Sequence, residues 1–363
     1  MNKVLITGGT GFLGSHIISR IIDEVDSITV ATTDIRQNTT LKKLGVDLNK
    51  INLVKGDVRD FDFLRLLFNE YEFDTVFHLG ALSEVKKCQP DPKLAFDVNV
   101  GGTVNILEAC RMYGKVKAVV VSSSDKAYGS GEVPYVEGQS LNGVGTYEVS
   151  KSATDLIARS FYSNYGVPVV VTRCSNLYGG GDMNLSRVIP NNIKQILNGK
   201  SPMIWKGSEK STREFLYIDD AVDAYLSLVD NIDKTKGEAY NIGSGEVYSI
   251  DELLKLLLKT MDSNLEGVDM NTQYVLRTAD SKFNWKPTYF EGMKNVMVFV
   301  SVDFDKVKVE DGWSYMKDDD YMNKTIRFIK AQIDNSIELN WKVEDIILAT
   351  NFEFEYRGVK SIL

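Results

Sequence analysis

Short runs of β-branched and other apolar residues alternate with amphipathic stretches through the first half of the chain. The runs "KVLIT", "SITVAT", "KAVVVSS" and "PVVVTRCS" have the composition of strands, and amphipathic stretches such as residues 92–113 and 146–165 lie between the runs. Strands as uniformly apolar as "AVVVS" are typical of a sheet covered on both faces. The alternation therefore predicts an α/β fold built on a doubly wound parallel sheet.

Charge and cysteine content narrow the class of ligand. Lys and Arg total 42 against 50 Asp and Glu, and the net charge of -8 disfavours nucleic acid or an anionic membrane as a partner. No apolar run approaches the length of a membrane span, and the N-terminus turns glycine-rich too soon for a signal peptide. Because the three cysteines form no CxxC pair and histidines number two, we expect a cytoplasmic protein with reduced thiols and no metal site.

The stretch "TGGTGFLG" places Gly8, Gly11 and Gly14 between the first predicted strand and a predicted helix. Glycines at such a turn let the backbone approach a pyrophosphate, whose charge the N–H groups at the start of the helix can hold. A tight turn without a ligand would use the same residues, but its place at the head of a strand-helix series favours a dinucleotide site. The sheet is therefore predicted to be of the Rossmann type.

The stretch "TYEVSK" sets Tyr147 and Lys151 four residues apart, so that a helix would point both side chains in one direction. A phenol is a poor base at neutral pH, but a nearby ammonium and a cationic nicotinamide ring favour its phenolate. Tyr147 could then take a hydroxyl proton while a hydride leaves for the cofactor. The alternative is a helix whose tyrosine packs and whose lysine is solvated.

In "VSSSDKAYG", a serine cluster is followed directly by the opposite charges of Asp125 and Lys126. At the end of a parallel strand, such a pair could act as an acid and a base on a bound substrate. Because a basic lysine must be neutral while an ionised aspartate favours its charged form, a coupled pair sharing protons describes them best. The alternative is a solvated ion pair in a turn.

The glycine loop and the stretches "VKGDVRD", "VFHLGAL", "NVGGT", "TYEVSK" and "REFLYIDDAVDAY" occur in an order that closely resembles the extended short-chain dehydrogenase/reductase family acting on nucleotide-activated sugars. The resemblance covers residues 1–289. It implies that Ser124 hydrogen-bonds the same sugar oxygen as Tyr147, and that Asn99 has a structural role. The residues that it assigns to the cofactor site are Gly8, Gly11, Phe12, Leu13, Gly14, Asp57, Val58, Leu79, Gly80, Ala81, Asn99, Tyr147 and Lys151.

The residues after the second strand leave the choice of cofactor open. The family often has an acidic residue there, whereas this chain reads "ATTDIRQ". Asp34 could bind the ribose 2'-hydroxyl of NAD, and Arg36 could neutralise the 2'-phosphate of NADP. We expect NAD, with NADP not excluded.

Within the family, an acid followed by a second ionisable group after the catalytic serine resembles the sugar 4,6-dehydratases. By that likeness Asp125 is the acid and Lys126 the base that remove water after oxidation at carbon 4. The segment "NLYGGGDMNLSRVIP" resembles CDP-glucose 4,6-dehydratases, although the glycine loop differs from that branch and leaves the nucleotide open. The residues implied to face the nucleotide-sugar are Ser83, Asn176, Arg187 and Arg213.

Two other functions remain open. A 4-epimerase would also use Ser124, Tyr147 and Lys151 but would not need the Asp-Lys pair, and a non-catalytic dinucleotide-binding scaffold would need none of them. Family likeness favours a homodimer.

Changes in composition suggest three regions. We expect a dinucleotide-binding domain at 1–180, completed by 212–245, and a smaller mixed α/β substrate-binding region at 181–292. A C-terminal extension at 293–363, with a predicted helix at 323–335, has no assigned role. Its ends faintly resemble the opening of a nucleotide-sugar glycosyltransferase, so a partial fused domain is one interpretation.

Overall fold

A computed structural model describes residues 1–35, 39–205 and 207–261, together with the backbone of five short strands nearer the C-terminus. The chain divides into two units, Met1–Ala279 and Asp280–Leu363. The expected boundary between residues 292 and 293 and the predicted helix at 323–335 lie outside the described residues.

The first unit contains twelve strands among the described residues. They are β1 (Lys3–Thr7), β2 (Ser27–Thr32), β3 (Ile51–Lys55), β4 (Thr75–His78), β5 (Ala118–Ser122), β6 (Val169–Cys174), β7 (Asn176–Tyr178), β8 (Met203–Trp205), β9 (Thr212–Tyr217), β10 (Ala239–Ile242), β11 (Val247–Ser249) and β12 (Val275–Arg277).

Helices connect these strands. They are α1 (Phe12–Ile21), α2 (Thr39–Lys43), α3 (Phe61–Tyr71), α4 (Val85–Cys88), α5 (Pro92–Phe96), α6 (Gly102–Tyr113), α7 (Thr146–Tyr165), α8 (Val188–Leu197), α9 (Ile218–Asp230), α10 (Ile232–Thr235) and α11 (Ile250–Thr260). Two short 3₁₀ helices, Leu48–Lys50 and Asp125–Tyr128, and a π turn, Asp97–Gly101, complete the set in the part of the chain that is described.

Seven strands form one parallel sheet in the order β10-β6-β5-β4-β1-β2-β3. The chain runs outward from β1 to β3 and then returns to the other side of β1 with β4. Between β1 and β4 the sheet therefore has the switch point at which doubly wound folds bind ligands. This topology confirms the predicted Rossmann-type α/β fold.

Alternate residues of each central strand enter different hydrophobic layers, because successive side chains of a strand point to opposite faces. Val120 packs in the layer that contains Ile17 of α1 and Val222 of α9. Its neighbour Val121 packs in the layer that contains Ile106 of α6. Both faces of the sheet are therefore buried, which explains why its strands are almost entirely apolar.

The amphipathic stretch at 92–113 is not a single α-helix. It is divided into α5 and α6 by the π turn, in which Asn99 is buried. The Asn99 side-chain oxygen accepts a hydrogen bond from the Leu82 N–H at 2.7 Å, and its amide donates to the Ser150 hydroxyl at 2.9 Å. The π turn thus ties the loop after β4 to α7, a long-range requirement that helical periodicity does not reveal.

Smaller sheets lie outside the main one. Strands β7, β9 and β11 form one sheet, and β8 pairs with β12. In the second unit β13 (Met297–Ser301), β14 (Ile346–Thr350), β15 (Glu355–Tyr356) and β16 (Val359–Ile362) form a sheet of order β13-β14-β16-β15. Among the helices of the described segments, none combines the length and apolar character that a membrane span requires.

Candidate active site

The glycine loop between β1 and α1 is too close to other backbone atoms to carry side chains. Gly8 has a φ of +70°, and a Cβ there would lie 2.8 Å from the Gly80 nitrogen. A Cβ on Gly14 would lie 2.5 Å from the Gly8 carbonyl oxygen. Gly11 is the N-cap of α1 and leaves the start of this helix without a side-chain cap. The loop is therefore a backbone cradle that fits the pyrophosphate of a dinucleotide.

A buried histidine, which the sequence did not single out, supports this cradle. His78 Nδ1 lies 2.8 Å from the Thr7 hydroxyl oxygen, and Nε2 lies 3.1 Å from that of Thr103. Since Thr103 donates its proton to the Asn99 carbonyl, His78 donates from Nε2 and accepts at Nδ1. Burial lowers the pKa of His78 to about 3, and the charge of Lys151 adds to this effect. A neutral imidazole thus fixes the Thr7 hydroxyl, which accepts the Gly80 N–H at 3.0 Å.

A cavity of about 820 Å³ opens at the carboxyl ends of the main-sheet strands. Most of the residues predicted from the sequence line it. These are Gly8, Gly11, Phe12, Leu13, Gly14, Asp57, Val58, Leu79, Gly80, Ala81, Ser83, Ser124, Asp125, Lys126, Tyr147, Lys151, Asn176 and Arg187.

Of the predicted residues that the structure describes, three do not line the cavity: Asn99, Asp34 and Arg213. Asn99 has the buried structural position described above, and Arg36 lies outside the described residues. At the end of β2 the cavity is lined by Thr32 and Thr33 instead of Asp34. Arg213 is exposed on β9 and donates to the Thr212 carbonyl at 2.7 Å.

The pair Asp125 and Lys126 begins the 3₁₀ helix after β5, with Ser124 as its N-cap. The Ser124 hydroxyl donates to Asp125 Oδ1 at 2.9 Å, and Lys126 Nζ donates to Asp125 Oδ2 at 2.9 Å. The Asp125 and Lys126 side chains are 22% and 35% exposed, so both face the cavity more than bulk solvent. The two side chains therefore form an ion pair at the cavity wall, with the Ser124 hydroxyl bound to the same carboxylate.

Tyr147 and Lys151 lie in the first two turns of α7. Burial raises the pKa of Tyr147 to about 12; a hydrogen bond with Ser124 lowers it, and the charge of Asp125 raises it. Burial lowers the pKa of Lys151 to about 8. The Lys151 ammonium donates to the Ser122 carbonyl at 2.6 Å. With a pKa of about 12, Tyr147 is a neutral phenol at pH 7, and a further positive charge is needed to favour its phenolate.

A second buried network anchors the segment that carries the Asp-Lys pair. Arg173 of β6 bonds both carboxylate oxygens of Asp155 and donates to the Tyr128 hydroxyl at 2.6 Å. Tyr128 is the last residue of the 3₁₀ helix and in turn donates to Asn241 at 2.8 Å. The apolar run "PVVVTRCS" gave one signal that was missed, because an arginine within a buried strand needs a buried acid as partner.

Tyr225 of α9 also lines the cavity and was not assigned a role from the sequence. Its hydroxyl donates to Ser122 at 3.0 Å and accepts from Thr172 at 2.6 Å. Within the described residues no cluster of histidine, cysteine and acidic side chains could hold a metal ion.

Comparisons with known proteins agree with this geometry. A sequence model of the GDP-mannose 4,6 dehydratase family matches residues 5–322. The chain is 31% identical over 276 residues to a dTDP-D-glucose 4,6-dehydratase from Dictyostelium discoideum, covering 71% of this chain and 62% of that enzyme. It is 31% identical over 285 residues to a CDP-paratose 2-epimerase from Salmonella typhi, covering 70% of this chain and 83% of the epimerase.

Among solved structures, the fold is similar to DesIV, a dTDP-glucose 4,6-dehydratase from Streptomyces venezuelae with NAD bound. The TM-score is 0.66 at 28% identity, covering 76% of this chain and 83% of DesIV.

Proposed function

Because the chain belongs to the extended short-chain dehydrogenase/reductase family of nucleotide-sugar dehydratases and epimerases, we propose that it is an NAD-dependent NDP-hexose 4,6-dehydratase. The proposed reaction converts an NDP-hexose into water and the NDP-4-keto-6-deoxyhexose. The backbone cradle at Gly8, Gly11 and Gly14 supports a dinucleotide, and the NAD bound to DesIV favours NAD over NADP.

One observation carries the choice of reaction: the Asp125-Lys126 ion pair lines the same cavity as Ser124 and Tyr147. A 4-epimerase needs a base for the carbon 4 hydroxyl and a rotation of the sugar, and two further ionisable groups give it no advantage. A dehydratase needs two more proton transfers, one from carbon 5 and one to the hydroxyl on carbon 6. The pair therefore favours the dehydratase, with the epimerase as the second candidate.

Side chains of the protein carry out the proton transfers of the proposed reaction. The cradle at Gly8, Gly11 and Gly14 would hold the nicotinamide cofactor, which would supply reversible hydride transfer between carbon 4 and carbon 6. Tyr147 takes the proton of the carbon 4 hydroxyl, and Ser124 hydrogen-bonds the same oxygen. Lys151 supplies positive charge that favours the phenolate of Tyr147.

The Asp125-Lys126 pair then removes water across carbons 5 and 6. In the ion pair Lys126 holds the proton, whereas the reaction needs a neutral lysine base and a protonated aspartic acid. Transfer of one proton along the 2.9 Å contact between Lys126 Nζ and Asp125 Oδ2 produces both forms at once. A bound nucleotide-sugar favours the transfer, because excluding water from the cavity raises the cost of two separated charges. Lys126 takes the carbon 5 proton, and Asp125 protonates the hydroxyl that leaves carbon 6.

The nucleotide-sugar is proposed to contact Ser83 and Asn176 at the cavity wall. Asn176 donates to the Glu214 carbonyl at 3.0 Å, which places its amide beside β9. Arg213 would reach the diphosphate only by turning away from the Thr212 carbonyl.

We further propose a homodimer formed through α6 and α7. Between these helices a groove of about 610 Å³ is lined by exposed apolar residues, among them Val104, Leu156 and Tyr165. Four helices packed across a twofold axis would bury these side chains.

Incubation of the protein and NAD with CDP-, dTDP-, UDP- and GDP-hexoses, followed by mass spectrometry and NMR of the products, tests the activity. Loss of one water from one of the sugars, giving a 4-keto-6-deoxy product without net reduction of NAD, is the expected result. An isomer of unchanged mass would identify an epimerase, and no turnover of any sugar would favour the binding scaffold.

A further inference from the structure

Residues 179–187, here called the strap, connect β7 to α8 and carry the sequence "GGGDMNLSR". The strap is attached to the helices that flank the dinucleotide half of the fold. His16 Nε2 of α1 lies 2.9 Å from the Gly180 carbonyl oxygen, and the Thr40 hydroxyl of α2 donates to the Gly181 carbonyl at 3.2 Å. Lys43 of α2 lies 2.9 Å from the Met183 sulfur.

The close approach of the strap to α2 depends on a glycine. Gly181 has a φ of +82°, and a Cβ there would lie 3.1 Å from the Thr40 methyl group. On its other side the strap reaches the loop before α4, where the Ser186 hydroxyl lies 3.4 Å from a carboxylate oxygen of Glu84. The strap therefore borders the cavity next to the glycine loop.

Arg187, the last residue of the strap, lies against the start of α1. Its guanidinium carbon is 5.8 Å from the centre of the Phe12 ring, and Phe12 is the first residue of that helix. Nη1 of Arg187 donates to Asp182 Oδ2 at 3.0 Å. The Asp182 side chain is only 4% exposed, whereas that of Arg187 is 39% exposed. A buried carboxylate thus orients an arginine whose surface faces the cavity.

We propose that Arg187, oriented by Asp182, binds the pyrophosphate of the dinucleotide at the start of α1, and that the strap thereby closes over the cofactor. This inference rests on the proposed NAD site and changes the role that sequence resemblance gave to Arg187, which was contact with the nucleotide-sugar. The contact with Asp182 occupies one of five guanidinium N–H donors, so that donors remain for phosphate oxygens.

The pairing with Asp182 serves a physical purpose. The N-terminus of α1 already presents N–H groups and a partial positive charge to an anion. Arg187 adds a full charge beside the start of this helix, and Asp182 limits both the mobility of Arg187 and its repulsion of α1. A cofactor held by both the helix start and Arg187 suits a reaction that restores it in every cycle, because such a reaction does not require exchange of NAD.

Binding of NAD and of ADP-ribose to the cofactor-stripped full chain, measured by calorimetry without any sugar, tests the proposal. For Arg187→Gln we expect the dissociation constants of both ligands to rise about tenfold or more, because each ligand contains the pyrophosphate. Asp182→Asn should raise the dissociation constants of NAD and ADP-ribose by a smaller factor. The matched control is Arg20→Gln, which removes an arginine of α1 that is paired with Asp223 on the protein surface and should leave both constants unchanged.

Unchanged binding of NAD and ADP-ribose by Arg187→Gln would overturn the proposal, and weaker binding of the nucleotide-sugar to the same variant, also measured by calorimetry, would return Arg187 to the substrate. If Arg187→Gln fails to fold, Arg187→Lys can be used instead, because it keeps a positive charge but lacks the planar guanidinium group. It should still weaken the binding of NAD and of ADP-ribose measurably. Because no turnover is measured, NAD binding can support the role of Arg187 even if the dehydratase proposal fails. A wild-type chain that binds no NAD would overturn both.

Discussion

Two lysines of the candidate site have very different surroundings. Lys151 is buried and donates to a backbone carbonyl, and its pKa is lowered by burial. Lys126 is partly exposed and forms an ion pair with Asp125. We therefore expect the buried charge of Lys151 to lower the stability of the protein, whereas the proposed role of Lys126 depends on its contact with Asp125.

Lys126→Met should abolish water loss while leaving the first oxidation partly intact, since the hydride leaves carbon 4 before the pair acts. The absorbance of the reduced nicotinamide in a single turnover reports oxidation, and exchange of the carbon 5 hydrogen with deuterated water reports the base. Reduced cofactor without exchange is the expected pattern. Equal loss of oxidation and exchange would contradict the role of Lys126.

Lys151→Met should stabilise the protein at pH 7 while removing activity. The folded-state pKa of about 8 lies below the unfolded value, so the buried ammonium costs about 3 kcal/mol at pH 7. Between about pH 8 and the unfolded pKa of about 10.5, the folded wild-type protein loses the Lys151 proton while the unfolded chain still holds it. The cost of the buried charge is removed over this range, so the difference in stability between the variant and wild type should disappear. Urea unfolding at pH 7 and pH 10 measures this change. A variant that is less stable at pH 7 would show that the lost bond to Ser122 outweighs the buried charge.

At the scale of elements, the 3₁₀ helix Asp125–Tyr128 is fixed by residues far from it in the chain. Its first residues belong to a contiguous motif that the sequence reveals, as do the glycine loop and the Tyr147-Lys151 spacing. Its last residue, Tyr128, is held by Arg173, and Arg173 is held by Asp155. These partners lie 45 and 18 residues apart, so that no local pattern links them. The division of the stretch at 92–113 by a π turn was missed for the same reason.

Arg173→Met should lower the free energy of unfolding by about 3–5 kcal/mol, because it leaves Asp155 charged and buried with one partner fewer. Arg159→Met removes the other arginine on the same carboxylate. Since the Arg159 side chain is 36% exposed and that of Arg173 is 1% exposed, the Arg159 variant should lose about 1 kcal/mol or less. Urea unfolding measures both free energies. Similar losses of stability in the two variants would contradict the larger contribution that we assign to the Arg173 contact.

At the scale of the whole molecule, the chain divides into a unit with a Rossmann-type sheet and a C-terminal unit. The sequence predicted the doubly wound sheet because strand-helix alternation recurs at short range. It did not assign a role to residues 293–363, where no motif places a chemical group. The expected homodimer likewise rested on family likeness alone, because the exposed apolar side chains of α6 and α7 become adjacent only in the folded chain.

Leu156→Glu tests the proposed dimer. The Leu156 side chain is 55% exposed on α7, and a charge there would be buried in the interface without a partner. Light scattering should find a wild-type dimer and a monomeric variant. Leu66→Glu, on a leucine of α3 that is 60% exposed, should leave the dimer intact. A monomeric wild type, or equal dissociation by both variants, would contradict the proposed interface.

Transfer of a deuterium label from carbon 4 of the sugar tests the central claim most directly. The accepted NDP-hexose, labelled with deuterium at carbon 4, is incubated with the holoenzyme, and the product is analysed by NMR. We predict that the deuterium appears in the methyl group at carbon 6 of a 4-keto-6-deoxy product. Deuterium retained at carbon 4 of a full-mass sugar would contradict the dehydratase and identify an epimerase.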